Sequence, residues 1–126
     1  MKPGDEIELK VTPDRYATVR YAGASGDFNP IHIDEEFAQS VGLPGRILHG
    51  LWSMAQVARA AADAGGGPQS LQALSVQFRG MGAIGAEVVV SGEVAAVDHG
   101  VATVKLESTQ GENKLIKGAV AELRIA

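Results

Sequence analysis

The chain has 126 residues, 45% of them hydrophobic and 21% charged, the size and balance of one globular domain. A formal net charge of −4 with no run of Lys or Arg leaves no electrostatic footprint for nucleic acid or an anionic membrane surface, and the absence of cysteine excludes disulfides, thiolate catalysis and zinc–thiolate sites. Aromatic residues supply only 5%, so the core falls to Val, Leu, Ile and Ala, which suits a sheet wrapped on a helix.

Met1-Lys-Pro-Gly-Asp-Glu6 is polar, and no segment reaches the roughly 18 apolar residues of a membrane span, so a cytoplasmic location is expected. Residues 6–11 alternate polar and apolar, which predicts a strand with one face buried. Thr12 reads as a helix N-cap with Pro13 at the first helical position, and the helix extends through Arg15 to Ala24 before Ser25-Gly26 stops it. Residues 26–33 read as a structured loop, because Pro30 lacks an amide hydrogen and pushes Asn29 toward an extended conformation. Asp34 caps a short helix from Glu35 to Val41 that ends at Gly42, and Leu43-Pro44-Gly45-Arg46 turns the chain.

The longest helical pattern runs from about His49 to Ala64 and is nearly apolar. Its polar members Ser53, Gln56, Arg59 and Asp63 share one arc of roughly 120°, so the helix is expected to be buried on most sides. Gly65-Gly66-Gly67-Pro68 ends it. Beyond Ser70 the pattern is all strand: Leu71 to Phe78, Ala86 to Val97, Val101 to Thr109 and Leu115 to Ile125, with hairpin turns at Asp98-His99-Gly100 and Gly111-Glu112-Asn113. The expected architecture is α+β: a five-stranded antiparallel sheet, its last strands joined by tight turns, wrapped around the long helix, with residues 1–126 as one domain.

Chemistry concentrates in Tyr21-Ala-Gly-Ala-Ser-Gly-Asp27-Phe28-Asn29-Pro30-Ile31-His32. Asp27 and Asn29-Pro30 taken alone describe an ordinary turn, and His32 alone a structural histidine. Together they put a carboxylate and an imidazole on a proline-stiffened segment between helices, placed to meet over one point. The run Gly26-Asp-Phe-Asn-Pro-Ile-His-Ile-Asp34, followed by Gly42-Leu-Pro-Gly-Arg-Ile-Leu-His-Gly-Leu-Trp-Ser-Met54 and a strand-rich tail, resembles the MaoC-like hydratases and dehydratases: the (R)-specific enoyl-CoA hydratases and the (3R)-hydroxyacyl-carrier-protein dehydratases. The resemblance covers nearly the whole chain and implies the hot-dog fold. Because hot-dog thioesterases share that fold, the motif and not the fold points to hydration.

Carried over residue by residue, the resemblance implies Asp27 and His32 as an acid/base pair acting on a shared water, with Asn29 helping to hold the segment. It also implies the Gly50 amide as donor to the enolate oxygen, at the free end of the long helix, where one such donor contributes on the order of 3 kcal/mol. Ser53 either faces the thioester or bonds back to the preceding turn. His49 is read as capping or packing at the helix start beside the substrate, outside the acid/base pair; His99 as solvated; Tyr16 and Tyr21 as packing residues. No residue cluster calls for a metal, and no cofactor is implied. The substrate is an acyl thioester of coenzyme A or acyl carrier protein. A homodimer is expected, with a heterodimer, a thioesterase and a non-catalytic acyl-binding module as alternatives. One departure stands out: after Phe78-Arg79, Gly80-Met-Gly-Ala-Ile-Gly-Ala-Glu87 replaces the proline-rich turn ending in Gly-Asp of many relatives, which predicts a more mobile loop.

Overall fold

Alternation at the N-terminus produces β1 (Glu6–Val11), with Ile7 buried and Glu6, Glu8 and Lys10 outward. The structure, a computed structural model, describes residues 1–125. Helix α1 (Ala17–Ser25) starts later than its sequence predicts, with Tyr16 and not Thr12 as N-cap. The physical reason lies in two competing partners. The Pro13 carbonyl accepts the Gly85 N–H at 2.7 Å, and the Asp14 carboxylate takes the Tyr16 N–H at 2.8 Å. That N–H, with the Arg20 guanidinium beside it, holds the Asp14 carboxyl below the usual carboxylate range.

A four-residue turn, α2 (Pro30–Ile33), is followed by α3 (Glu35–Ser40), whose first turn is capped by Asp34 accepting from the Phe37 N–H at 3.0 Å. Then come the long helix α4 (Gly50–Ala64), a 3-10 turn at Pro68–Ser70, and strands β2 (Leu71–Phe78), β3 (Val88–Asp98), β4 (Val101–Gln110) and β5 (Asn113–Arg124).

The sheet order is β1-β3-β4-β5-β2, with antiparallel neighbours throughout. Tight hairpins join β3 to β4 through His99 and Gly100, at φ 49° and 77°, and β4 to β5 past Gly111 at 61°. The expectation of tight turns fails between β2 and β3. Since β2 pairs with β5, residues 79–87 must carry the chain back across the sheet.

Helix α4 lies against this sheet through Val57, Ala60 and Ala61, which pack on Val90, Val104, Ile116, Ala121 and Leu123. Small side chains let the helix axis come close to the strands, and each buried Val, Leu or Ile contributes about 1.5–3 kcal/mol. The helix is less enclosed than its composition suggests: Leu51 is 58% exposed, and Ala55 and Arg59, on the same stripe, are also exposed. The buried face includes the hydroxyl-bearing Ser53, so the polar arc of the sequence is not uniformly exposed. Among the described residues no helix is long and apolar enough to cross a membrane.

The glycine-rich stretch is not loose. Gln110 accepts from the Ala83 N–H at 2.8 Å and donates to the carbonyls of Ala83 and Ala86 at 2.7 and 3.0 Å. Asn113 donates to the Met81 carbonyl at 2.9 Å, and the Leu48 N–H reaches the Gly82 carbonyl at 2.8 Å. Two side-chain amides at the β4–β5 hairpin therefore replace the stiffness that proline would supply. Gln110→Ala should lower unfolding stability by about 1–2 kcal/mol, since part of each lost bond is recovered by water. It should also speed amide exchange across residues 81–86 while β3 and β4 stay protected; a loop exchanging at the wild-type rate would refute this clamp.

Candidate active site

Glycine at position 26 ends α1 in the left-handed region, φ 78°, with its N–H on the Ala22 carbonyl. A relay of short polar bonds then carries the chain forward. The Ser25 hydroxyl accepts from the Asp27 N–H at 3.1 Å, Asp27 Oδ1 from the Asn29 N–H at 3.2 Å, and Asn29 Oδ1 from the Ile31 N–H at 3.2 Å. The loop expected over residues 26–33 is thus in part helical. Asn29 is indeed extended, at φ −53° and ψ 127°, but it serves as N-cap, and Pro30 occupies the first helical position, where a missing N–H costs nothing.

This turn swings His32 inward until it is 7% exposed. Its Nδ1 lies 2.8 Å from the Ile47 carbonyl, which can only accept, so Nδ1 carries the proton and Nε2 offers a lone pair. Nε2 stands 3.9 Å from Asp27 Oδ2, whose side chain is 52% exposed. The two groups therefore converge without touching. His49, the N-cap of α4, is buried beside them: its Nε2 is 3.0 Å from the Asp27 carbonyl, and its ring stacks on His32 with centroids 3.8 Å apart and planes 19° apart. The ring of Tyr21 leans on His49 at 4.8 Å.

Two hollows open here. One, of about 350 Å³, is lined by Tyr21, Ser25, Asp27, His49, Gly50, Leu51 and Phe78. The other, of about 270 Å³, is lined by His32, Ile47, Leu48, Gly50, Ser53, Phe78 and residues 79–82, with Leu115. Gly50 and Phe78 border both, so the hollows meet at the start of α4. Neither the Gly50 nor the Leu51 N–H has a hydrogen-bond partner among the described residues, because no helical turn precedes them; the His49 carbonyl serves Trp52 and Ser53, further along the turn. The Ser53 hydroxyl makes no bond back to the preceding turn and borders the His32 side.

Donor atoms of Asp27, His32 and His49 lie within 4.8 Å of one another, as in some metal clusters. The arrangement does not suit a cation. Imidazole nitrogens ligate in the ring plane, whereas a cation shared by two stacked rings sits off both planes; His32 Nδ1 and His49 Nε2 are in addition occupied by carbonyls.

The model of the MaoC like domain matches residues 1–115 of this sequence. The chain belongs to the MaoC-like family. It is 33% identical over 114 residues to the fatty acid synthase beta subunit aflB of Emericella nidulans, an alignment covering 84% of this chain and 5% of that protein. It is 32% identical over 96 residues to the enoyl-CoA hydratase ChsH3 of Mycobacterium tuberculosis, covering 76% and 31% of the two. The chain thus spans a third or less of the length of these relatives. Among solved structures, a chain of the ChsH1-ChsH2 complex of Mycobacterium tuberculosis superimposes with a TM-score of 0.87 at 27% identity over 98% of each chain, and so has the same hot-dog fold.

All six residues singled out in this MaoC-like sequence, Asp27, Asn29, His32, His49, Gly50 and Ser53, gather around the two hollows or the turn that shapes them. Phe78 and the Ile47 carbonyl were not foreseen. The first ends a strand far away in sequence, and the second is a main-chain group that no side-chain pattern marks. Asn29→Ala should cost about 1 kcal/mol of stability through loss of the α2 cap, while Asn29→Asp, which keeps the acceptor, should cost little. Paired thermal melts of the two variants check this, and equal losses would sink it.

Proposed function

We propose that this MaoC-like domain is a hydro-lyase that adds water across the 2,3 double bond of an enoyl thioester and removes it from the (R)-3-hydroxyacyl thioester, with Asp27 and His32 as its acid/base pair. The observation that carries the reading is the 3.9 Å gap between His32 Nε2 and Asp27 Oδ2. It is too long for a direct hydrogen bond. A water about 2.8 Å from each atom spans it. His32 Nε2 has an open lone pair because Ile47 holds the proton on Nδ1, so such a water is flanked by an imidazole acceptor and a carboxylate acceptor.

In the hydration direction the water loses a proton to this pair as its oxygen bonds to C3. The double-bond electrons move toward the thioester, building enolate charge on the carbonyl oxygen. A proton returned from the same pair to C2 restores the thioester, and the pair ends as it began. Delivery from one side makes the addition syn, in keeping with an (R) product. The free Gly50 N–H, at the junction of the hollows, is the donor for the enolate oxygen, and an amide held by a helix needs no reorientation as the charge builds. A side chain at position 50 would intrude here: a Cβ would sit 3.3 Å from the Phe78 ring. Ser53 borders the same passage and is read as a substrate contact.

Residues 1–126 are proposed to act as one domain on a thioester of coenzyme A or acyl carrier protein, in fatty acid chemistry like that named for the relatives. Leu51, Phe78 and Met81, all large, apolar and exposed, line the hollows. A second copy of the chain is the proposed cover, giving a homodimer. A related hot-dog subunit is the alternative, since ChsH1 and ChsH2 form a complex.

The purified chain should consume enoyl thioesters without releasing free thiol; thiol release with the double bond intact would refute hydration in favour of thioester hydrolysis. Asp27→Asn and His32→Ala should each lower hydration by at least about a hundredfold. The first should melt like wild type, and the second slightly lower, since it strips the Ile47 carbonyl of its donor. Size-exclusion mass measured beside activity tests the assembly: a dimeric, active lone chain is expected, and an inactive monomer would overturn the homodimer.

A further inference from the structure

We infer that His49 is a positioning residue: its Nε2–H ties down the main chain of Asp27 while its ring face sets the plane of His32, so one side chain holds both members of the pair in register. This rests on the hydration reading above.

The position of His49 argues first. N-cap side chains ordinarily accept an N–H of the helix they begin, but His49 makes no such bond, and only its main-chain carbonyl serves the turn, to Trp52 at 3.1 Å and Ser53 at 3.3 Å. The side chain is instead buried to 2% exposure, and its Nδ1 has no hydrogen-bond partner among the described residues. An unpaired buried ring nitrogen is a standing penalty that Phe or Leu would avoid. What explains an imidazole here is therefore the other nitrogen. Nε2 faces the Asp27 carbonyl at 3.0 Å, and since a carbonyl only accepts, the proton sits on Nε2.

The geometry of Asp27 argues second. Among the described residues, its other main-chain and carboxylate hydrogen bonds reach no further than two residues along the chain, to the Ser25 hydroxyl and the Asn29 N–H. Such turns shape a segment but do not fix it against the body of the protein. The bond from His49 spans 22 positions of sequence and does so. His32 is fastened by the same stretch of chain, through the Ile47 carbonyl 15 positions away, and lies face to face with the His49 ring at 3.8 Å. Ile47 and His49 thus form one strap that anchors the imidazole at one end and the carboxylate-bearing backbone at the other. The separation of Nε2 from Oδ2 is set by that strap.

Two variants separate the two contacts. His49→Phe keeps a flat ring against His32 and loses the donor; His49→Gln keeps an amide donor at a similar reach and loses the ring. His49→Phe should lower kcat about ten- to a hundredfold, the scale on which small misplacements act, with KM within about threefold of wild type. His49→Gln should recover part of that loss. Wild-type kcat in His49→Phe would overturn the inference, as would a loss confined to KM. Nitrogen-15 NMR provides a readout independent of turnover. In wild type the His49 ring should report its proton on Nε2, and His49→Phe should shift the Phe28 amide, whose peptide group contains the Asp27 carbonyl, and the His32 ring. A proton on Nδ1, or unmoved signals, overturns the role of His49 even if His49→Phe folds poorly or is inactive. If wild type shows no hydration at all, the functional reading fails while the NMR result still decides the positioning role.

Discussion

The bond from His32 Nδ1 to the Ile47 carbonyl, 2.8 Å long and buried, is the interaction on which the site turns. It fixes which ring nitrogen holds the proton, and with it which nitrogen faces Asp27. A surface histidine has no such constraint and rotates freely about its side-chain bonds. Burial makes the bond strong in effect, because losing it would leave a carbonyl without water or partner. The chemistry proposed for the site needs a ring that is both basic at Nε2 and immobile, and a single main-chain acceptor meets both needs.

That acceptor is itself placed by the packing of the long helix on the sheet. Ile47 and Leu48 are buried just before α4, Leu48 clustering with Val88 and Leu115, so the strap before the helix is seated in the sheet and not draped over it. The helix axis runs close to the strands because Ala60 and Ala61 offer so little bulk. A thin apolar layer, dictated by a composition poor in aromatics, thus ends in a rigid polar corner.

Local signals were legible where they were self-contained. Asp34 capping α3, the glycine ending α1, the span Leu71–Phe78 and the turn at His99-Gly100 all depend on residues within a few positions of one another. Thr12 failed as a cap because distant Gly85 claims the carbonyl of Pro13, a competition that no window of sequence contains. Proline at position 30 was read as a helix breaker when it is a helix starter; both follow from its missing N–H, and only the cap bond of Asn29 decides between them. Ser53 belongs to the polar arc of α4 yet is buried beside a hollow, and the sequence pattern alone left open which way its hydroxyl faces. The residues of the candidate site were legible from the resemblance. Their meeting through Ile47 and His49 was not, since it is written in carbonyl oxygens.

Phe78 closes β2, opposite Ile116 of β5, while Gly50 opens α4, so the passage between the hollows has one jamb on the sheet and the other on the helix. Its aperture is consequently a property of how far the helix has slid along the strands. Bulk added between the two layers, far from the polar corner itself, would be felt as a change in the width of this passage. Calibration of that width thereby belongs to the hydrophobic interior as much as to the residues that line the opening.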